Sequence, residues 1–272
     1  MLDIYRKNFD NSKTYDGYDE NNVFILNNID QIKGINFKEG KTLIEIPNTI
    51  GLTKEFLNEI PNNVYIRIIG GYTNQYMNGL KAPNYSNLRE KVTYSINELK
   101  DIIDCIDNIE NQIDDGWNDY KKALFVYEYL KKNILYRVPK QVEGVNGIGI
   151  AYRNRNWDSF TGLLCNMSTC NGFAFIYQEL LTRLNIKCYL IGGSYIKNGE
   201  GQHAFNVVSI DGNNFLVDII WDAMEYEKGN DQITGCGLLN KTNYRFKNNK
   251  ELYSDLINFN LNSIDDNNKI SR

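Results

Sequence analysis

The feature that most constrains the fold is a helix pattern followed by three strand patterns between residues 170 and 223. The segment CNGFAFIYQELLTRLNI, residues 170–186, is predicted to form a helix. The runs KCYLIGGSYI, HAFNVVSID and NFLVDIIWDA follow it, and each is typical of a strand. Asp211-Gly212-Asn213 is a tight-turn signal, so the last two runs are expected to form a hairpin. The block predicts an α+β fold in which this helix packs on an antiparallel sheet.

Two amphipathic helix patterns precede this block. Ser95 and Glu98 form a capping box at the start of the first one, and the second covers residues 117–134. Residues 93–272 are therefore interpreted as one domain, with a motif core at 117–225.

The chain before residue 93 has a different character. Strand patterns are found at 22–28, 42–48 and 63–71, with a helix pattern at 53–61 between the last two. A polar stretch without periodicity follows at 71–87. Residues 1–92 are predicted to form a small N-terminal α/β region that ends in a linker or long loop, and no motif indicates its role.

Composition excludes several classes of function. The 272 residues carry a net charge of −4 with a pI near 5.3, which gives no electrostatic footprint for nucleic acid or for an anionic membrane. The start of the chain has no apolar segment typical of a signal peptide, and no run of apolar residues is long enough to span a bilayer. A cytoplasmic protein is expected, with no nucleic-acid or membrane partner.

Cysteine usage indicates reduced thiols. The five cysteines, an odd number at irregular spacing, do not form the pattern of a disulfide framework. Cys105 lies on the flank of an apolar stripe and is interpreted as core filler, and Cys188 and Cys236 as core or loop residues.

Three side chains stand out as a chemical constellation. Cys170 begins the helix pattern, where the free N–H groups and the positive end of the dipole stabilise a thiolate. Ser168 or Thr169 could cap that helix. His203, the single histidine of the chain, begins a strand pattern, and Asp218 lies in the strand pattern paired with it. An imidazole can accept a thiol proton, and a carboxylate behind the ring fixes its orientation.

The predicted hairpin brings two of these residues close together. A turn centred on Gly212 places residue 203 roughly across from residue 220 or 221, so Asp218 would be one diagonal step from His203. Each residue also has a structural interpretation, since free cysteines are most often buried and single histidines are most often structural. However, a carboxylate inside FLVDIIW needs a partner, because an unpaired buried charge is costly.

These residues resemble the motifs of the transglutaminase-like superfamily, which has a papain-like core. Bacterial members show a Cys-Gly-aromatic-Ala helix start, a His-Ala-Trp-Asn strand and a Val-Asp-x-Thr-Trp-Asp strand. This chain has Cys170 with Gly172, Phe173 and Ala174, then HAFN from His203, and then Val217, Asp218, Trp221 and Asp222. Asn171 and Phe205 are departures, and both are conservative. The resemblance covers roughly residues 95–225.

The resemblance implies a catalytic triad and a reaction. Cys170 would be the nucleophile, His203 the base and acid, and Asp218 the orienting carboxylate. The expected chemistry is acyl transfer on an amide of a protein or peptide substrate, with no metal or cofactor. Relatives supply a second oxyanion donor from an upstream side chain, for which Gln141, Asn156 and Trp157 are candidates.

Other interpretations stay open at this point. A peptidase or amidase on the same core and a non-catalytic binding module are the alternative functions. A zinc site made by Cys165, Cys170 and His203 lacks a fourth ligand at the usual spacing. A Cys165–Cys170 disulfide conflicts with a helix starting at residue 170.

Overall fold

The computed structural model describes residues 22–37, 39–46, 48–68, 93–137, 160–194, 202–231 and 233. The strands in these residues are β1 (Val23–Ile25), β2 (Thr42–Ile46), β3 (Val64–Ile68), β4 (Tyr94–Ser95), β5 (Leu135–Tyr136), β6 (Met167–Ser168), β7 (Lys187–Ser194), β8 (Gln202–Ile210) and β9 (Asn213–Val217). The helices are α1 (Lys54–Asn58), α2 (Ile96–Glu110), α3 (Asp119–Asn133), α4 (Thr161–Cys165), α5 (Cys170–Arg183) and α6 (Ile220–Glu227), and Ile29–Gly34 is a 3-10 helix. This mixture confirms the α+β class.

The N-terminal region contains a four-stranded sheet. Its strand order is β1-β2-β3-β4, in which the first three strands are parallel and β4 is antiparallel to β3. One face contributes Ile44, Ile46 and Ile66 to the main core, because successive residues of a strand point to opposite faces. The three predicted strands and the short helix between the last two are confirmed.

Helix α2 begins where its capping box predicts. The Ser95 backbone N–H donates to the Glu98 carboxylate at 2.9 Å, and the Ser95 hydroxyl accepts from the Glu98 backbone N–H. Its apolar stripe is fully buried, with Ile96, Leu99, Ile102, Ile103, Ile106 and Ile109 all in the core. The capping box therefore predicts the start of this helix, and the apolar periodicity predicts its buried face.

The second sheet is antiparallel, with the order β7-β8-β9. Asp211 (φ 51°) and Gly212 (φ 74°) form the turn between β8 and β9, and both have the left-handed conformation that this kind of two-residue turn requires. The predicted hairpin is confirmed.

The predicted strand over 214–223 is only half correct. β9 ends at Val217, and the chain enters α6 at Ile220. Short apolar runs fit a strand or a buried helix equally well, and here Ile219, Ile220 and Ala223 are buried with helical spacing. Asp218 consequently follows the strand instead of lying within it.

A single apolar core joins the N-terminal region to the rest of the described chain. Residues of the first sheet, of α2, of α3 and of α5 belong to one continuous cluster, in which Ile44, Leu99, Tyr127 and Leu180 are fully buried. Helix α5 is buried from Asn171 to Leu181, so it lies inside the core of the described residues. The boundary near residue 92 stays a prediction.

Several predicted segments lie outside the described residues, namely the linker at 71–87, the Gly-rich loop around 143–157 and a C-terminal helix after residue 245. Within the described part of the chain, no helix combines the length and the apolar character needed to cross a bilayer.

Candidate functional site

Cys170 is the first residue of α5. Thr169 is the N-cap, with an extended backbone, and its hydroxyl accepts from the Gly172 N–H at 3.5 Å. Ser168, the other cap suggested by the sequence, is fully buried in β6. The sulfur therefore lies at the positive end of a 14-residue helix, where negative charge is stabilised.

The other described cysteines are Cys105, Cys165 and Cys188. Burial raises the pKa of the thiols of Cys105, Cys165 and Cys188, and Cys188 is only 4% exposed. Cys105 packs against the core and Cys188 lies within it, as predicted, whereas Cys236 lies outside the described residues. A raised pKa leaves less of the nucleophilic thiolate, so these three are weaker candidates for a nucleophile.

Cys165 does not pair with Cys170. None of the four described cysteines forms a disulfide, and the Cys165 thiol donates to the backbone carbonyl of Met167 at 3.4 Å. The side chains that the structure describes contain no group of three His, Cys, Asp or Glu residues able to hold a metal ion.

Helix α5 is fixed to the second sheet by two amide side chains. Asn206 of β8 donates to the carbonyl of Ala174 at 2.8 Å, and also to the carbonyl of Tyr189 at 3.3 Å. In the opposite direction, Gln178 of α5 donates to the carbonyl of Cys188 at 3.0 Å. Both amides are buried, so these bonds set the position of the helix against the sheet.

His203 occupies the second position of β8. Its backbone is opposite Gly193 of β7, and its imidazole lies outside the described side chains. Asn206, three residues further along the same strand, contacts α5. The strand that carries His203 is therefore packed on the helix that begins with Cys170.

Asp218 comes directly after β9 and is 1% exposed. The β8–β9 ladder ends at the pair Asn206 and Val217. Continued further, this register would place residue 220 opposite residue 203, as predicted, but the chain has entered α6 by then. Oδ2 of Asp218 accepts a hydrogen bond from the indole N–H of Trp221 at 3.0 Å.

Asp222 is a second buried carboxylate, one residue beyond Trp221. It is fully buried in the first turn of α6, and its Oδ2 accepts from the hydroxyl of Tyr127 in α3 at 2.6 Å. The sequence marks Trp221 and Asp222 only as parts of a motif. The sequence does not predict the contact of Trp221 with Asp218, because this i, i+3 contact depends on a helical turn where the sequence predicts a strand.

The elements that carry the three predicted residues are neighbours in the fold. Helix α5 packs on β7 and β8, and β8 pairs with β9, which leads directly into Asp218. The triad itself stays a prediction. The candidate oxyanion donors Gln141, Asn156 and Trp157 lie outside the described residues.

Comparison with known families decides the class of this domain. A family model described as a transglutaminase-like domain matches residues 104–232, a span that includes Cys170, His203 and Asp218. Residues 104–232 form a transglutaminase-like domain. The resemblance seen in the sequence is confirmed.

The chain was also compared with curated proteins and with solved structures. No curated protein matches the chain. Three solved chains match it. One of them, titled "Crystal structure of a TGase", shares 18% identity with a TM-score of 0.34, and the match covers 48% of this chain and 32% of that one. This chain thus spans about a third of that structure.

Proposed function

We propose that the transglutaminase-like domain is a cysteine-dependent acyl-transfer enzyme that acts on amides of proteins or peptides. Cys170 is the nucleophile, His203 the general base and acid, and Asp218 the carboxylate that orients the imidazole. The observation that carries the proposal is the position of Cys170, which begins a capped helix inside the family match. The raised thiol pKa values of Cys105, Cys165 and Cys188 disfavour them for this role.

The first half-reaction forms a thioester. The Cys170 thiol gives its proton to the His203 imidazole, and the sulfur adds to the amide carbonyl carbon. The backbone N–H of Cys170, at a helix start, is placed to donate to the resulting oxyanion. When the tetrahedral intermediate collapses, the C–N bond breaks and the imidazolium proton goes to the departing ammonia or amine.

The second half-reaction releases the acyl group. Water or a second amine attacks the thioester carbonyl, and His203 accepts a proton from this attacking molecule. The C–S bond then breaks, and the imidazolium returns its proton to the sulfur to restore the thiol. Attack by water gives hydrolysis, and attack by an amine gives transamidation. Access of water to the thioester decides between the two products.

A mixed peptide library analysed by mass spectrometry tests the proposal. Backbone cleavage would indicate a peptidase, a mass gain of about 1 Da a deamidase, and an amine adduct a transglutaminase. We expect one of these products from the wild-type protein and none from Cys170→Ala. Cys165→Ala, the matched control in the same segment, should retain the activity.

The same experiment separates catalysis from a binding role. If the protein is a non-catalytic transglutaminase-like module, the wild type, Cys170→Ala and Cys165→Ala would all leave the library unchanged. Product that persists in Cys170→Ala would contradict the assignment of the nucleophile.

A further inference from the structure

The indole of Trp221 contacts the carboxylate that the proposed function uses to orient the imidazole. Its N–H donates to Oδ2 of Asp218 at 3.0 Å. We propose that Trp221 is a positioning residue that acts through Asp218: by holding Oδ2, it presents Oδ1 to His203. This inference rests on the proposed function.

Asp218 needs such a contact because of its place in the chain. It lies after the end of the β9 ladder and before the first residue of α6, outside the regular backbone of both elements. The carboxylate is 1% exposed, so water contributes little to its orientation. A hydrogen bond to an ionised acceptor is among the stronger contacts of a side chain, so the indole restricts the carboxylate to one orientation.

Trp221 is itself held firmly. Its ring is partly buried and packs against the main core. Asp222, the next residue, is fully buried and accepts from Tyr127 of α3 at 2.6 Å. At the far end of α6, Glu227 forms an ion pair with Arg137. Helix α6, which carries the indole, is therefore joined to α3 near its start and to the residue after β5 at its end.

The chemistry of indole suits this role. An indole N–H donates a hydrogen bond but cannot accept one, and it does not ionise in the physiological range. It can occupy one carboxylate oxygen without competing for the proton that His203 carries. The other carboxylate oxygen stays available to face the imidazolium.

The test compares Trp221→Phe, Asp218→Asn and the double variant in the full-length chain. Trp117→Phe is the matched control, since Trp117 is also partly buried but makes an edge contact with the ring of Phe125. The first measurement is the rate of iodoacetamide alkylation at Cys170, resolved by mass spectrometry at pH 7. The second is the NMR titration of the imidazole in tag-free Cys170→Ala protein, where His203 is the only histidine.

We expect Trp221→Phe to slow alkylation about tenfold, the effect of losing one hydrogen bond to a charged group. The imidazole titration should move to lower pH, because a less ordered carboxylate stabilises the imidazolium less. In the Asp218→Asn background, Trp221→Phe should slow alkylation by no more than about twofold, since residues that act through one another are not additive. Trp117→Phe should change neither measurement.

A second variant guards against a packing effect of the smaller ring. Benzothienylalanine at position 221 replaces the indole N–H by sulfur and keeps the shape of the ring, and it should reproduce both effects of Trp221→Phe. Equal slowing by Trp221→Phe with and without Asp218, or an imidazole titration unchanged by the benzothienyl ring, would overturn the positioning role alone. An unchanged alkylation rate in Asp218→Asn would overturn the proposed triad, and the positioning role with it.

Discussion

A single hydroxyl defines the start of the helix that carries Cys170. The Thr169 side chain accepts from Gly172, and β6 ends one residue before it. A capped start keeps the first turn of α5 ordered, so the free N–H groups next to Cys170 hold one geometry. The sequence offers two residues of the type that favours this cap, Ser168 and Thr169. Ser168 is buried in β6, and Thr169 is the cap.

Thr169→Ala should therefore weaken both the fold and the candidate site. We expect the free energy of unfolding to fall by about 1 kcal/mol, the usual cost of losing an N-cap. Alkylation of Cys170 should slow as well, because the first turn frays. Thr182→Ala is the matched control in the same helix, since that hydroxyl only donates back to the carbonyl of Gln178. Equal losses of stability in the two variants, measured by denaturant titration, would contradict the capping role.

Residue-level prediction from sequence is confirmed where the signal is local, as at the N-cap of α5, whereas the triad stays a prediction. Cys170, His203 and Asp218 are suggested by residue type and spacing alone. The contacts of Trp221, Asn206 and Tyr127 could not be predicted, because each joins elements whose relative position depends on packing. The apolar run that contains Asp218 carries no signal for where the strand ends.

At the scale of elements, polar side chains tie α5 to both parts of the chain. On one side, Asn206 and Gln178 connect it to the second sheet. On the other, Oε1 of the buried Glu179 accepts from both the N–H (2.6 Å) and the hydroxyl (2.5 Å) of Thr49 in the N-terminal region. Arg183 adds a bond to the carbonyl of Thr49 at 3.1 Å. The helix that begins with Cys170 is thus supported by residues that the family match does not include.

Thr49→Val tests this support. The substitution removes one donor to a buried carboxylate, so we expect a loss of about 1–3 kcal/mol in the free energy of unfolding. Lys54→Ala is the control across the same junction, because Lys54 pairs with Asp104 at an exposed position and such pairs contribute little. Thermal or denaturant unfolding of both variants provides the comparison. A smaller loss for Thr49→Val than for Lys54→Ala would be inconsistent with this account.

At the scale of the whole molecule, composition and periodicity predicted the α+β class but not the way the regions combine. The sequence separates residues 1–92 from the rest because their strand patterns differ from the helix patterns that follow. In the structure the two regions share one core, which includes Ile44 and Ile66 of the first sheet together with Leu99 and Leu180. Long-range burial of this kind leaves no periodic signal in either region.

The shared core predicts a single cooperative transition. Since the N-terminal region and the transglutaminase-like domain bury apolar side chains against each other, neither should unfold alone. Calorimetry of the full-length chain should show one peak, with equal calorimetric and van't Hoff enthalpies. Two separated transitions would mean that the regions are independent.

The central claim is that His203 activates Cys170. The most direct test is the rate of iodoacetamide alkylation at Cys170, compared between wild type and His203→Asn at pH 7, with Cys165 of the same molecule as the internal reference. The account predicts that Cys170 reacts at least about tenfold faster than Cys165 in the wild type, and that His203→Asn removes most of this advantage. Equal rates at Cys170 in the two proteins would contradict it.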